Sequence, residues 1–192
     1  MDNHRIISAD SHVAEPQTLY QERVPKEYRD RVPHLETRNG GQYWVVEGKR
    51  PRRIDLAKKR ATEEDQVREF RRDPSGGRDL EHRLADQEMD GVSAEVIYPN
   101  ESLFIFVSKD PGYQIAMARS YNDWAMELFG SHLDRFIPSA MVPVIDIPAG
   151  IEEAKRVAKL GYKIICTPLL VEQLPYSQPE YDPFWSTLED EG

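Results

Sequence analysis

The sequence predicts an α/β fold built on a parallel sheet, and three observations carry that reading. Short apolar runs at residues 5–9, 94–98, 136–142 and 162–167 are rich in Ile and Val and do not alternate with polar residues. Strands of that kind are usually covered on both faces. Helical patterns stand between successive runs, giving the order βαβαβα, which implies crossover connections and a parallel sheet. The chain has 192 residues, 39% hydrophobic and 31% charged, enough for one domain with a real core.

The first run ends in "ADSHVAEP", where Asp10 and His12 lie two residues apart. Residues i and i+2 of an extended strand share a face, so the two side chains project together if the strand continues through them. Residues 13–79 then break the rhythm. "NGGQYWVVEG" reads as a turn with a strand over 43–47 in a small hairpin. The segment beginning "KRPRRIDLAKKR" is highly charged and reads as a solvated surface stretch. Its functional alternative is a lid or subunit contact over the end of the first strand.

A helix over residues 80–89 leads into the second strand. Residues 111–130 form a longer one, with Ile115, Ala118, Tyr121, Ala125 and Leu128 on one stripe and Trp124 beside it. Residues 148–160 form the next, with Asp146 as cap, acids early, bases late and Gly161 as the stop. Asp182-Pro183 opens a last helix, with the acid expected as its cap. Gly192 follows this helix where a fifth strand would be due, so the sequence reads as the N-terminal part of a longer fold. The open sheet edges of such a piece predict self-association when it is alone.

The formal charge of -9 argues against a nucleic-acid surface and gives no support to an anionic membrane. No apolar run reaches the length of a membrane span. The single cysteine, Cys166, cannot form an internal disulfide and is compatible with a reducing cytoplasm. It sits in an apolar run and reads as a small buried hydrophobe. His4, His34, His82 and His132 have no spacing that pairs them with Asp10 and read as surface or capping residues. Tyr121, Trp124, Phe184 and Trp185 read as core. Gly76-Gly77 lacks the strand–helix frame of a phosphate loop.

A carboxylate and an imidazole on one face can share a divalent metal, zinc or, in more open sites, manganese or iron. They can equally be a turn residue and an ordinary loop histidine, because two ligands alone make no metal site. Asn100 and Thr167 lie near the ends of the second and fourth strands. If the sheet belongs to a barrel, those ends face the site, and both become candidates for substrate contact.

"IISADSHVAEP" resembles the start of the amidohydrolase-related family, in the branch that includes aminocarboxymuconate semialdehyde decarboxylase and related aromatic-acid decarboxylases. "SYNDWAMELF", "DRFIPSAMVPVID", "GIEEAKRVAKLGYKII" and "YDPFWSTLEDEG" resemble its successive helices and strands, in the same order. The resemblance covers nearly the whole chain and is least clear over residues 37–78. It implies the N-terminal half of a (β/α)8 TIM barrel, about four βα units, with a long insertion after strand one and a divalent metal, usually zinc. It implies that Asp10 and His12 are the first two metal ligands, with an acid where the family often has histidine. That harder ligand brings manganese into play. The family's other ligands and its catalytic acid–base group come from later strands. The implied activity is hydrolysis, or non-oxidative decarboxylation, of a small carboxylated or carbonyl substrate by a protein that is homo-oligomeric when complete. The alternatives are a non-catalytic half-barrel and an open α/β binding domain without metal.

Overall fold

The structure is a computed structural model and describes residues 5–54, 77, 79–169 and 174–192. Four parallel strands form the main sheet: β1 (Ile6–Val13), β5 (Val92–Pro99), β6 (Phe136–Met141) and β7 (Ile164–Cys166), in the order β1-β5-β6-β7. A second, antiparallel sheet joins β2 (His34–Arg38), β3 (Gly41–Val45) and β4 (Arg52–Arg53). The helices are α1 (Leu19–Arg23), α2 (Leu80–Asp90), α3 (Pro111–Phe129), α4 (Ile147–Leu160) and α5 (Asp182–Glu191).

The helix ends follow local chemistry. Asp79, Asp110 and Asp146 cap α2, α3 and α4, their carboxylates accepting from the main-chain N–H of His82, Tyr113 and Ala149. Each satisfies a donor that the first helical turn leaves without an internal partner. Gly161 closes α4 at φ 102°, a left-handed conformation that costs a glycine little. The sequence predicts Asp182 as the cap of α5. Instead Tyr181 holds the cap position, and Asp182 is the first helical residue, where its charge still favours the positive helix end.

The small sheet is larger than the expected hairpin. Asn39 and Gly40, at φ 48° and 70°, make the two-residue turn between β2 and β3. Positive φ at both central positions matches the twist of the flanking strands. Arg52–Arg53, inside the segment read as a solvated charge run, adds a third strand. The rest of that run, 55–76 and 78, and with it part of the expected 13–79 insertion, whose alternative reading is a lid, lies outside the described residues.

Two apolar clusters sit behind the main sheet. One packs Val13, Ile97, Phe136 and Met141 against α1 and the α3 residues Tyr113, Met117, Tyr121, Ala125 and Phe129. The other packs Ala140, Val142 and Val144 against Val157, Tyr181 and Phe184. The buried stripe of α3 shares Ala118, Tyr121 and Ala125 with the expected one, whereas Ile115 and Leu128 are only partly buried. Contrary to the expectation that every strand is covered twice, β1 lies at a sheet edge and exposes Ile6 and Ile7. β7 is the other edge. No helix among the described residues is long and apolar enough to cross a membrane.

Candidate metal centre

The strand β1 does continue through Asp10 and His12. Its pairing with β5 steps from Ser8↔Glu95 to Ser11↔Ile97, so β1 carries one extra residue there. A bulge of this kind bends the strand and re-aims side chains. Ser8 Oγ and Ser11 Oγ, 2.8 Å apart, hydrogen-bond across it. Asp10 lies within the bulge and His12 just after it; Asp10 Oδ1 and His12 Nε2 are 3.4 Å apart, with the carboxylate 84% and the imidazole 46% exposed.

The other ring nitrogen of His12 is committed. Nδ1 lies 2.8 Å from the carbonyl oxygen of Pro99, the last residue of β5. A carbonyl only accepts, so Nδ1 carries the proton and donates. In the neutral ring Nε2 then presents a lone pair to the Asp10 carboxylate. Two acceptors facing each other at that separation can share a metal cation. The donor set of one carboxylate oxygen and one imidazole nitrogen suits a divalent metal. It supplies two ligands; among the described residues no group of three or more His, Cys, Asp or Glu side chains could hold one.

Buried groups fix the strand end. Arg83, on α2, donates from Nη1 to the carbonyl oxygen of His12 at 3.0 Å. Its Nε and Nη2 donate to Glu95 Oε2 at 3.0 and 2.6 Å. Tyr98 stands in register with His12, the ring centroids 6.1 Å apart. Glu15, only 8% exposed, accepts from the main-chain N–H groups of Asn100, Glu101 and Ser102 at 3.0, 3.1 and 3.0 Å. Tyr20 donates from its hydroxyl to Ser102 Oγ. Burial first, and then the neighbouring Glu15 charge, push that phenol well above its ordinary range.

Asn100 directly follows β5 and lines a cavity of about 170 Å³ with Glu15, Tyr20, Trp44, Arg52 and Glu101. The small sheet therefore forms one wall of a space that begins just past His12. Thr167 directly follows β7, at the opposite edge of the sheet from β1. The structure thus brings together Asp10 and His12, joins Asn100 to their strand end through Glu15, and leaves Thr167 across the sheet. Cys166 is half-buried with its thiol pushed up by that burial, the opposite of an activated nucleophile. His82 pairs with the cap Asp79, and His34 lies 2.8 Å from the Val32 carbonyl.

A parallel α/β sheet whose first strand ends in an acid–histidine pair is compatible with a barrel fold that places its site at the strand ends. The chain matches the amidohydrolase family over residues 10–192 and belongs to it. This family is generally dependent on divalent metals. No curated protein matches the chain. Among solved structures it is similar to an amidohydrolase from Mycobacterium avium subsp. paratuberculosis K-10. There the TM-score is 0.75 at 17% identity, over 98% of this chain and 56% of that one. It is also similar to 2,6-dihydroxybenzoate decarboxylase from Rhizobium (TM-score 0.54, 22% identity, 97% and 47% covered). A third is a dihydroxybenzoic acid decarboxylase from Polaromonas sp. JS666, solved with manganese and the inhibitor 2-nitroresorcinol (TM-score 0.57, 18% identity, 97% and 47% covered). The chain spans about half the length of these structures, and its fold is that of a partial barrel.

Proposed function

We propose that Asp10 and His12 are two ligands of a divalent metal in a barrel enzyme acting on a small carboxylated or carbonyl substrate. The observation that carries this reading is the 3.4 Å approach of Asp10 Oδ1 to His12 Nε2 with Nδ1 already committed. Two ligands, each about 2.05 Å from a tetrahedral centre, stand about 3.3 Å apart. Zinc fits the pair, and the manganese of the Polaromonas enzyme makes that ion the competitor. When bound, such a metal acidifies a water or polarises a substrate oxygen. The chain's own contribution is to present the carboxylate and imidazole on a rigid strand end and to offer Asn100, and Thr167 across the sheet, to the substrate. The remaining ligands and the acid–base group come from outside this set. Membership in the amidohydrolase family supports hydrolysis. A second reading, non-oxidative decarboxylation, draws support from the fold shared with aromatic-acid decarboxylases. The proposed setting is the reducing cytoplasm, in keeping with the single cysteine.

Metal analysis of the purified protein tests the proposal. Zinc or manganese should co-purify, and Asp10→Ala and His12→Ala should each lose it while keeping the wild-type circular dichroism. Metal retained by both variants sinks the assignment. Carbon dioxide release from hydroxybenzoates, set against hydrolysis of small esters and amides, separates the two reactions.

A further inference from the structure

The oxygen that holds His12 Nδ1 and the N–H that donates to Glu15 Oε1 belong to one peptide group, the bond between Pro99 and Asn100. Resonance makes that group a single planar, polarisable unit. Donating its N–H to a carboxylate raises the electron density on its oxygen, and hydrogen bonds in such a chain strengthen one another. The sequence of contacts therefore runs from the Glu15 carboxylate, through the peptide, to the imidazole. Metal-bound histidines commonly give their second N–H to a carboxylate or a carbonyl, which fixes the tautomer and raises ligand basicity.

We propose that Glu15 is a positioning residue for His12, acting through the Pro99–Asn100 peptide to lock the Nδ1–H tautomer and aim Nε2 at the cation. This rests on the metal reading of Asp10 and His12. Three features support it. Glu15 is buried, yet its hydrogen bonds come from main-chain donors around the end of β5. One of the three donors, the Asn100 N–H, belongs to the Pro99–Asn100 peptide, and the other two hold the turn that follows it. The His12 main chain is separately held by Arg83, so the hydrogen bond to the Pro99 carbonyl sets the ring rather than the backbone.

The test uses Glu15→Gln, with Tyr20→Phe as the comparison that loosens the same turn at Ser102. Nitrogen-15 spectra of the metal-free protein report the His12 tautomer, and calorimetric titration with zinc or manganese reports affinity. Glu15→Gln should blur the Nδ1–H signature of His12 and weaken metal binding about tenfold. Tyr20→Phe should lower the melting temperature and leave the His12 signals in place. Should Glu15→Gln fail to fold, Glu15→Asp, which withdraws the charge by one methylene, should show the same shift in smaller measure. A Glu15 variant that melts earlier but keeps the wild-type His12 spectrum and affinity overturns the proposal. A wild-type protein that binds no metal defeats the metal reading instead, and the His12 spectrum still decides the peptide relay.

Discussion

Replacing Arg83 by Met should destabilise the protein by about 4 kcal/mol and disturb the candidate site from behind. Arg83 and Glu95 are 10% and 12% exposed at the side chain, and two guanidinium nitrogens bond one carboxylate oxygen at 3.0 and 2.6 Å. Removing one partner of a buried pair leaves an uncompensated charge, which costs about 3–5 kcal/mol. Gln87 Nε2, 3.0 Å from Glu95 Oε1, offsets part of this, and the lost bond to the His12 carbonyl adds about 1 kcal/mol. In a chain of this size about 4 kcal/mol is a fall of about 8–16 °C in melting temperature. The double variant Arg83→Met with Glu95→Leu should recover most of the loss, since apolar replacement of both partners is often neutral. Urea melts of wild type, both single variants and the double variant give the coupling free energy. A single-variant loss below about 1 kcal/mol, or a double variant no better than the sum of the two, would refute a buried pair that behaves as one unit.

Asn122 is fully buried on α3 and bonds both main-chain groups of Met141, donating to its oxygen at 2.9 Å and accepting from its N–H at 2.7 Å. Asn122→Ala strands these groups and loosens the buried Glu153, so denaturant unfolding should show a loss of about 3 kcal/mol. Arg31 binds Glu47 and Asp110 and holds both carboxyls below their ordinary range. That stabilisation is present above the unfolded carboxyl values near about 4 and is lost as pH falls through the lower folded ones. Melting temperatures of wild type and Arg31→Ala should therefore differ at pH 7 and converge as the pH drops toward 3. Gly150→Ala places a Cβ 2.5 Å from the Pro143 carbonyl oxygen. Thermal melts should show a net loss of about 1–2 kcal/mol despite the better helix propensity of alanine.

Local chemistry explains which parts were legible in the sequence. Asp146 and Gly161 announce α4 because a cap and a left-handed stop act within a few residues. The Ile- and Val-rich strands announce themselves by composition. The region after β1 did not, because its buried residues Leu19, Tyr20, Val24 and Val32 are few, scattered among polar ones and follow no period. Their burial is decided by α3, nearly a hundred residues on. The β1 bulge is equally silent: an extra residue depends on the pairing with β5, so alternation along the chain puts Asp10 and His12 on one face and carries no sign that the ladder slips there. Glu15 stood in the quoted motif, yet its role depends on three N–H groups from residues 100–102.

The contrast between exposure and anchoring says most about what β1 is for. Asp10 and His12 expose their reactive atoms, whereas the groups that hold the His12 end of the strand are buried. The ring is fixed by Pro99, the main chain by Arg83, and the residues just beyond by Glu15 and by the bond from Ala14 N–H to the Gly77 carbonyl. A histidine serving only as a surface residue gains nothing from such support, since exposed ion pairs contribute little. A ligand must stay within a few tenths of an ångström of its working position, and that tolerance requires a supporting layer whose own side chains are locked. Burying Arg83, Glu95 and Glu15 carries a desolvation cost. On the proposed reading of Asp10 and His12 as metal ligands, that buried layer keeps His12 in register beside Asp10.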